Sequence, residues 1–270
     1  GNYSEAGSFT PGYCKGEVTP QPEVCNGEDD DCDGEIDWGK ELADTDILFI
    51  IDWSGSMGLE IDAVLIALNT FAQTFSDEEV LQWGVILGPR EAPGGFYDER
   101  LELYQDLTGF SDFLQSMSAL NFLTMNTGTE MLLDAMYLAL HNISAVVPYD
   151  LLTMAWGNSS YIADSDPTLH DFKVGWRSNA DRIIIVFSDE VEQSYLSPSV
   201  TTQQVEDMIS ATPQLKVYTF STSTGYGWDE LAQAGAGKYF KLTQNPTSMY
   251  NNLMEILDEI CKGGEEGSSE

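Results

Sequence analysis

The chain has 270 residues, of which 45 are acidic and 11 basic, for a formal net charge of -34. So large an anionic excess excludes nucleic acid and anionic membrane surfaces as partners, and it suits a cation-rich or saline exterior. With 42% apolar and 11% aromatic residues, the length fits one α/β domain with a sizeable core plus something small. The sequence holds no run of about 18 or more apolar residues, so no direct membrane insertion of this chain is expected. Its first residue is Gly1 rather than methionine, which reads as a processed or trimmed product lacking its leader and anchor.

Residues 1–24 are rich in Gly, Pro, Ser and Thr without apolar periodicity and read as a leader or linker. Residues 25–41 form a cysteine-bracketed acidic loop, Cys25-Asn-Gly-Glu-Asp29-Asp-Asp31-Cys32-Asp33-Gly34-Glu35-Ile36-Asp37. Asp29, Asp31, Asp33 and Asp37 occupy positions 1, 3, 5 and 9 of an EF-hand-like loop, with Gly34 at the sharp turn. Lys40 stands at position 12, where a bidentate glutamate belongs, so a full EF-hand is not expected. The run resembles a short Cys-Asn-Gly…Asp-Asp-Asp-Cys-Asp-Gly metal-binding motif of bacterial secreted and surface proteins. Carboxylates this close favour a bound cation over mutual repulsion. Ca²⁺ is the expected ion, with Asp29, Asp31, Asp33, Glu35 and Asp37 as candidate ligands. The alternative is a solvated acidic linker.

From residue 44 the pattern alternates between strand and helix. Ile47–Ile51 is an uninterrupted apolar, β-branched run, the signature of a strand covered on both faces in a parallel sheet. Ile61, Val64, Leu65, Leu68, Phe71, Ala72 and Phe75 then fall on one helical stripe. Gln82–Leu87 reads as a second buried strand, and Leu101–Leu107 alternates like a strand near a sheet edge. Phe110, Phe113, Leu114, Met117 and Leu120 predict a helix, as do Leu132, Ala135, Met136, Ala139, Leu140 and Ile143. Strands follow at Ile183–Phe187, Lys216–Phe220 and Lys238–Leu242, with helices near Val205 and Leu231 and a last helix carrying Met249, Leu253, Ile256, Leu257 and Ile260. The expected fold class is α/β: a doubly wound, mostly parallel six-stranded sheet with helices on both faces, spanning residues 44–262. A small disulfide-stapled metal loop precedes it, and an acidic, flexible tail, residues 263–270, follows it.

The chemistry gathers at Asp52-Trp-Ser54-Gly-Ser56, where the first strand's carboxyl end turns into a helix, the place at which open α/β sheets bind ligands. Neither G-x-G-x-x-G nor a Gly-Lys-Ser/Thr run is present, so no dinucleotide or P-loop phosphate is cradled. One acid and two neutral hydroxyls are oxygen donors for a hard cation such as Mg²⁺, and they leave its charge partly uncompensated. Such a metal can accept a carboxylate from another molecule.

This stretch resembles the first motif of the metal-ion-dependent adhesion site of von Willebrand factor A domains. The resemblance implies a threonine from a Gly-Thr loop before a helix, matched at Asn126-Thr127-Gly128-Thr129 by Thr129, with Thr127 in reserve. It also implies an aspartate ending another buried strand, matched by Asp189 after Arg182-Ile-Ile-Ile-Val-Phe-Ser188. The implied ligands are Asp52, Ser54, Ser56, Thr129 and Asp189, for Mg²⁺ or alternatively Mn²⁺ or Ca²⁺. Two acids depart from the pattern: Glu190 stands where the family has glycine, and Glu130 follows Thr129. Either one, placed near the cation, would raise affinity or shift preference towards Ca²⁺. Against these readings stand a plain Ser-Gly-Ser helix cap and a solvated strand-end aspartate.

Residues 148–180 break the alternation. This irregular segment carries Trp156, Tyr161, Asp164, Asp166, His170 and Trp176. It is expected towards the metal face as a determinant of partner specificity, or else as aromatic cover for a sheet edge. Cys14, Cys25, Cys32 and Cys261 all lie outside the predicted sheet, which favours disulfides and an extracellular, secreted or cell-surface location. Three connectivities are possible; Cys25 with Cys32 and Cys14 with Cys261 is favoured, because domain termini usually lie close together.

The function these features imply is a non-enzymatic adhesion or ligand-binding module that captures an acidic group of a protein partner through its cation. A metal-stabilised structural subunit of a surface assembly is the alternative. A Mg²⁺-dependent phosphohydrolase would want a second acid two residues after Asp52, where Ser54 stands. A serine hydrolase is poorly served by His141, within a helical stripe, and His170, in the irregular segment.

Overall fold

The computed structural model describes residues 44–74, 80–91, 99–120, 130–143, 155–156, 173–194, 196–197 and 199–263. The chain enters strand β1 (Thr45–Asp52), makes a 3₁₀ turn (Gly55–Leu59) and continues through α1 (Ile61–Thr74), β2 (Leu81–Glu91), β3 (Glu99–Thr108), α2 (Phe110–Ala119) and α3 (Leu132–Ile143). After β4 (Ala155–Trp156) come β5 (Asp181–Ser188), β6 (Leu196–Ser197), α4 (Thr202–Ala211), β7 (Leu215–Ser221), α5 (Trp228–Ala234), β8 (Tyr239–Lys241) and α6 (Pro246–Gly263).

Six strands form one sheet in the order β3-β2-β1-β5-β7-β8; β3 pairs antiparallel at one edge and the other pairings are parallel. This is the α/β, mostly parallel sheet expected from the sequence. The edge strand β3 is the one whose alternating pattern set it apart. The strand expected at Gln82–Leu87 runs longer, Leu81–Glu91, because antiparallel pairing with β3 continues to Glu91 opposite Glu99.

All eight residues of β1 are buried, and its side chains divide strictly between two cores. Ile47, Phe49 and Ile51 join α1, α2 and α6 through Ile61, Val64, Leu68, Phe113, Met249 and Leu253. Leu48 and Ile50 face the other way, into α3, α4 and α5 with Leu132, Met136, Val205 and Leu231. The period of two along a strand produces this division, and a one-residue slip would invert it. Full burial of each such apolar side chain contributes roughly 1.5–3 kcal/mol, so the central strands are the most firmly held part of the fold.

This winding fixes where a ligand can sit. The chain leaves β1 into α1 on one face and leaves β5 into α4 on the other. Because β1 and β5 are neighbours, their carboxyl ends flank a crevice where the connections part in opposite directions. Asp52 ends β1 and Ser188 ends β5, with Asp189 next.

Two described pieces of the irregular segment are tied to different parts of the chain. Ala155 and Trp156 pair antiparallel with Ser197 and Leu196, downstream of Asp189. Residues 173–180 instead lie at the amino-terminal edge of the sheet, away from the crevice. There the Arg177 backbone N–H donates to Asp46 Oδ2 at 2.7 Å, and its guanidinium donates to Asp46 Oδ1 at 2.6 Å, Asp44 Oδ1 at 3.1 Å and the Thr45 and Val80 carbonyls at 2.8 and 2.7 Å. Placement of the whole segment towards the metal face is therefore not what the described residues show. Its second part is an anchor for the start of β1, since a buried Asp46 carboxylate needs a counter-charge.

Candidate metal centre

The local geometry follows from where β1 must stop. Trp53 extends the ladder by one residue, its N–H donating to the Gly88 carbonyl at 2.8 Å, and its indole is buried. Gly88 lies opposite Asp52, and a Cβ there would stand 2.5 Å from Leu101 Cδ2. A side chain in that place would have to displace the tip of Leu101, which packs over the strand end. Ser54 is extended at φ -70° and ψ 164° and begins the 3₁₀ turn without a side-chain capping bond. A capping serine would spend its hydroxyl on the backbone two or three residues on. Here the Ser54 hydroxyl meets Ser56 Oγ instead, at 2.8 Å.

The expected residues from two parts of the chain meet in this crevice. Ser54 N–H donates to Asp52 Oδ1 at 2.9 Å, and Ser56 Oγ donates to Asp189 Oδ1 at 3.1 Å. Asp52, Ser54, Ser56 and Asp189 therefore stand together. Thr129 and Thr127, and the acidic loop with Asp29, Asp31, Asp33, Glu35 and Asp37, lie outside the described residues, as do Cys14, Cys25 and Cys32.

Ser188 joins the crevice without belonging to the motif. Its hydroxyl donates to Asp52 Oδ2 at 3.0 Å and accepts from Glu190 N–H at 3.2 Å, orienting the carboxylate from the neighbouring strand. The signal was a serine ending an otherwise apolar strand directly before Asp189, one position beyond the Phe187 that pairs with Ile51.

The loop carrying Asp189 is held from several sides. Thr222 Oγ1 donates to the Asp189 carbonyl at 3.1 Å and Trp228 Nε1 to the Glu190 carbonyl at 2.8 Å. Gln193 Nε2 donates to Glu130 Oε2 at 3.0 Å, and Ser194 Oγ to Asp134 Oδ1 at 2.5 Å. These bonds join the Asp189 loop to the start of α3.

Charge is crowded in this crevice. Burial pushes the Asp52 carboxyl up from 3.8 to about 7, with the Asp189 charge adding to it and hydrogen bonds from Ser54 and Ser188 opposing it. Glu130, one of the two acids that depart from the family pattern, is buried and likewise pushed up to about 7, first by burial and then by Asp52, Glu190 and Asp189. Asp189 is raised too, by burial and by the charges of Glu190 and Glu60, against the bond from Ser56. Both departing acids thus belong to the electrostatic surroundings of the crevice.

The donor set fits a hard divalent cation. Hydroxyl and carboxylate oxygens suit Mg²⁺, Mn²⁺ or Ca²⁺ rather than a soft metal, and a buried carboxylate with a raised pKa gains from a positive charge beside it. Among the described residues, no three Asp, Glu, His or Cys side chains come close enough together to hold a metal by themselves. A cation here would depend on the serine hydroxyls.

Fold and crevice define a doubly wound α/β domain with a hydroxyl-and-carboxylate face at its topological switch point. No protein-family model matches the chain, and no curated protein matches it. Among solved structures it is similar to proximal thread matrix protein 1 from the mussel byssus with a zinc-occupied MIDAS motif, at TM-score 0.51 and 9% identity, over 82% of this chain and 47% of that one. A second crystal form of that protein gives TM-score 0.51 and 12% identity, over 81% and 48%. A von Willebrand factor type A structure from Catenulispora acidiphila gives TM-score 0.49 and 13% identity, over 81% and 43%. The chain spans about half the length of these proteins. At such identities the likeness is one of fold, and that fold is the α/β, mostly parallel sheet expected from the sequence.

Proposed function

We propose that this chain is an extracellular adhesion or ligand-binding module, secreted or held at a cell surface. In this reading it holds a divalent cation with Asp52, Ser54, Ser56, Thr129 and Asp189, and through that cation captures an acidic group of a protein partner. The observation that carries it is the run of oxygen contacts from Ser54 to Ser56 to Asp189, beside a buried Asp52 whose carboxyl burial pushes up to about 7. Mg²⁺ is the first candidate, with Mn²⁺ or Ca²⁺ as alternatives that Glu130 and Glu190 would favour. The neutral serines leave the ion enough positive character to accept a carboxylate.

The N-terminal acidic loop, with Asp29, Asp31, Asp33, Glu35 and Asp37, is proposed as a separate Ca²⁺ site. Disulfides Cys25–Cys32 and Cys14–Cys261 are proposed to staple the loop and clasp the termini. We read the protein as non-enzymatic. Ser54 stands where a phosphohydrolase would carry its second acid, and His141 packs edge-on against Tyr137, with burial lowering its pKa.

One observation favours a second reading, a metal-stabilised structural subunit: the neighbour with the zinc-occupied MIDAS motif is named as a thread matrix protein. Binding to an immobilised acidic peptide separates the two. Capture that is lost with EDTA and with Asp52→Ala supports adhesion. Cation-dependent melting without any capture of acidic ligands supports the structural role.

A further inference from the structure

From Asp189 to Ser194 the chain follows no helix or strand, so its order must come from contacts with its neighbours. The connection between β7 and α5 supplies several. Thr222 Oγ1 donates to the Asp189 carbonyl at 3.1 Å, Trp228 Nε1 donates to the Glu190 carbonyl at 2.8 Å, and Glu192 N–H donates to the Tyr226 carbonyl at 3.1 Å. On the Asp189 side all three bonds use backbone atoms, which any residue type could offer there.

Glu192 adds a contact that only its side chain can make. Its Oε1 accepts from Thr202 Oγ1, in the first turn of α4, at 2.9 Å. Its carboxylate also fills the space beside Gly227, where a Cβ would collide with Cδ and both oxygens. Gly227 directly precedes α5 and has φ +82°, which favours glycine for a second reason. One half-buried carboxylate thus sits between the starts of α4 and α5, three positions along the chain from Asp189.

The consequence reaches the candidate metal centre through the loop. Asp52 is held from its own side, with Ser54 N–H on Oδ1 at 2.9 Å and Ser188 Oγ on Oδ2 at 3.0 Å. Seating Glu192 fixes the backbone that presents Asp189, so neither carboxylate is free to move apart from the other. A rigid pair suits Mg²⁺, which demands near-octahedral oxygens at about 2.0–2.1 Å, better than Ca²⁺, which takes looser shells at about 2.3–2.6 Å.

We propose that Glu192 is a positioning residue of the cation site: seated against Gly227 and held by Thr202, it fixes the Asp189 loop and sets a preference for Mg²⁺ over Ca²⁺. This rests on the cation-mediated reading above and adds the residue that selects the ion. Glu192 acts by shape rather than by charge, as groups that orient metal ligands from outside the coordination shell do.

The test titrates Mg²⁺ and Ca²⁺ separately into the full chain, its Glu192→Gln variant and its Glu192→Ala variant. Binding is read at the amide chemical shifts of Ser54, Ser56 and Ser188, so that ions taken up elsewhere on this acidic chain are not counted. Glu192→Ala is expected to weaken Mg²⁺ about tenfold or more and Ca²⁺ by less than about threefold. Glu192→Gln, whose amide oxygen can still accept from Thr202, is expected to stay within about twofold of the parent for both ions. Equal weakening by the two variants would reveal a charge effect and overturn the proposal, as would equal losses of Mg²⁺ and Ca²⁺ in Glu192→Ala. Parental affinities in Glu192→Ala also overturn it but leave the cation site standing, whereas no ion-induced shift in the parent overturns both.

Discussion

Ser56 Oγ donates to Asp189 Oδ1 at 3.1 Å, joining residues 133 positions apart across the ends of two neighbouring parallel strands. One is a neutral donor and the other an acid raised by burial, so the contact closes the crevice without neutralising it. A cation that replaced the shared proton contact with two oxygen bonds would keep the same two side chains in place. Ser56→Ala is therefore expected to weaken Mg²⁺ affinity about tenfold or more, with the cation-free fold within about 0.5 kcal/mol of the parent, because Ser56 is exposed. Calorimetric Mg²⁺ titration and urea unfolding check the two halves.

Asp52 ties stability to pH. Its folded value of about 7 lies above its ordinary 3.8, so the cation-free fold binds a proton that the unfolded chain has released. The stability from this group is present below 3.8 and is lost as pH rises through about 7. Cation binding must displace that proton, so apparent Mg²⁺ affinity is expected to fall by up to tenfold per unit as pH drops below about 7. Mg²⁺ titrations at pH 6 and pH 8 measure this.

Asp52→Asn removes the charge while keeping the shape. The amide oxygen can still accept from Ser54 N–H, and its NH₂ can donate to Ser188 Oγ. At pH 8 without cation this variant is expected to be more stable than the parent by about 1–3 kcal/mol, and to lose its response to Mg²⁺. Urea unfolding with EDTA and with Mg²⁺ gives both numbers. A variant less stable than the parent in EDTA would show that Asp52 is not a strained charge.

Arg177 is a matter of folding alone. It is the counter-charge to Asp46, whose side chain is fully buried, and it also holds the Thr45 and Val80 carbonyls. Arg177→Ala is expected to cost about 3–5 kcal/mol, because a buried carboxylate is left uncompensated. The Mg²⁺ response should persist wherever the variant still folds, since Arg177 stands at the opposite end of β1 from Asp52. Denaturant unfolding of this variant with and without Mg²⁺ checks both statements.

β1 and β5 were legible because a five-residue apolar, β-branched run fits only a strand covered on both faces, and the helical stripes gave α1, α2, α3 and α6. Asp52, Ser54, Ser56 and Asp189 were legible as a group through motif order, each lying at or just beyond the carboxyl end of a buried strand. Ser188 was not singled out, since its partner Asp52 comes from the neighbouring strand and register is invisible in one dimension. Arg177 was missed for the same reason: nothing local to residues 173–180 announces a buried Asp46 on another strand. The burial of Glu130 depends on how the Asp189 loop folds against α3, a tertiary relation without a local signal.

The most direct test of the central claim is thermal unfolding of the parent and of Asp52→Ala, each in EDTA and in saturating Mg²⁺. A ligand that binds only the native state raises the melting temperature by mass action. Mg²⁺ is expected to raise the parent's melting temperature by several degrees and to leave that of Asp52→Ala nearly unchanged. Equal shifts in both proteins, or none in the parent, would contradict a cation held at Asp52, Ser54, Ser56 and Asp189.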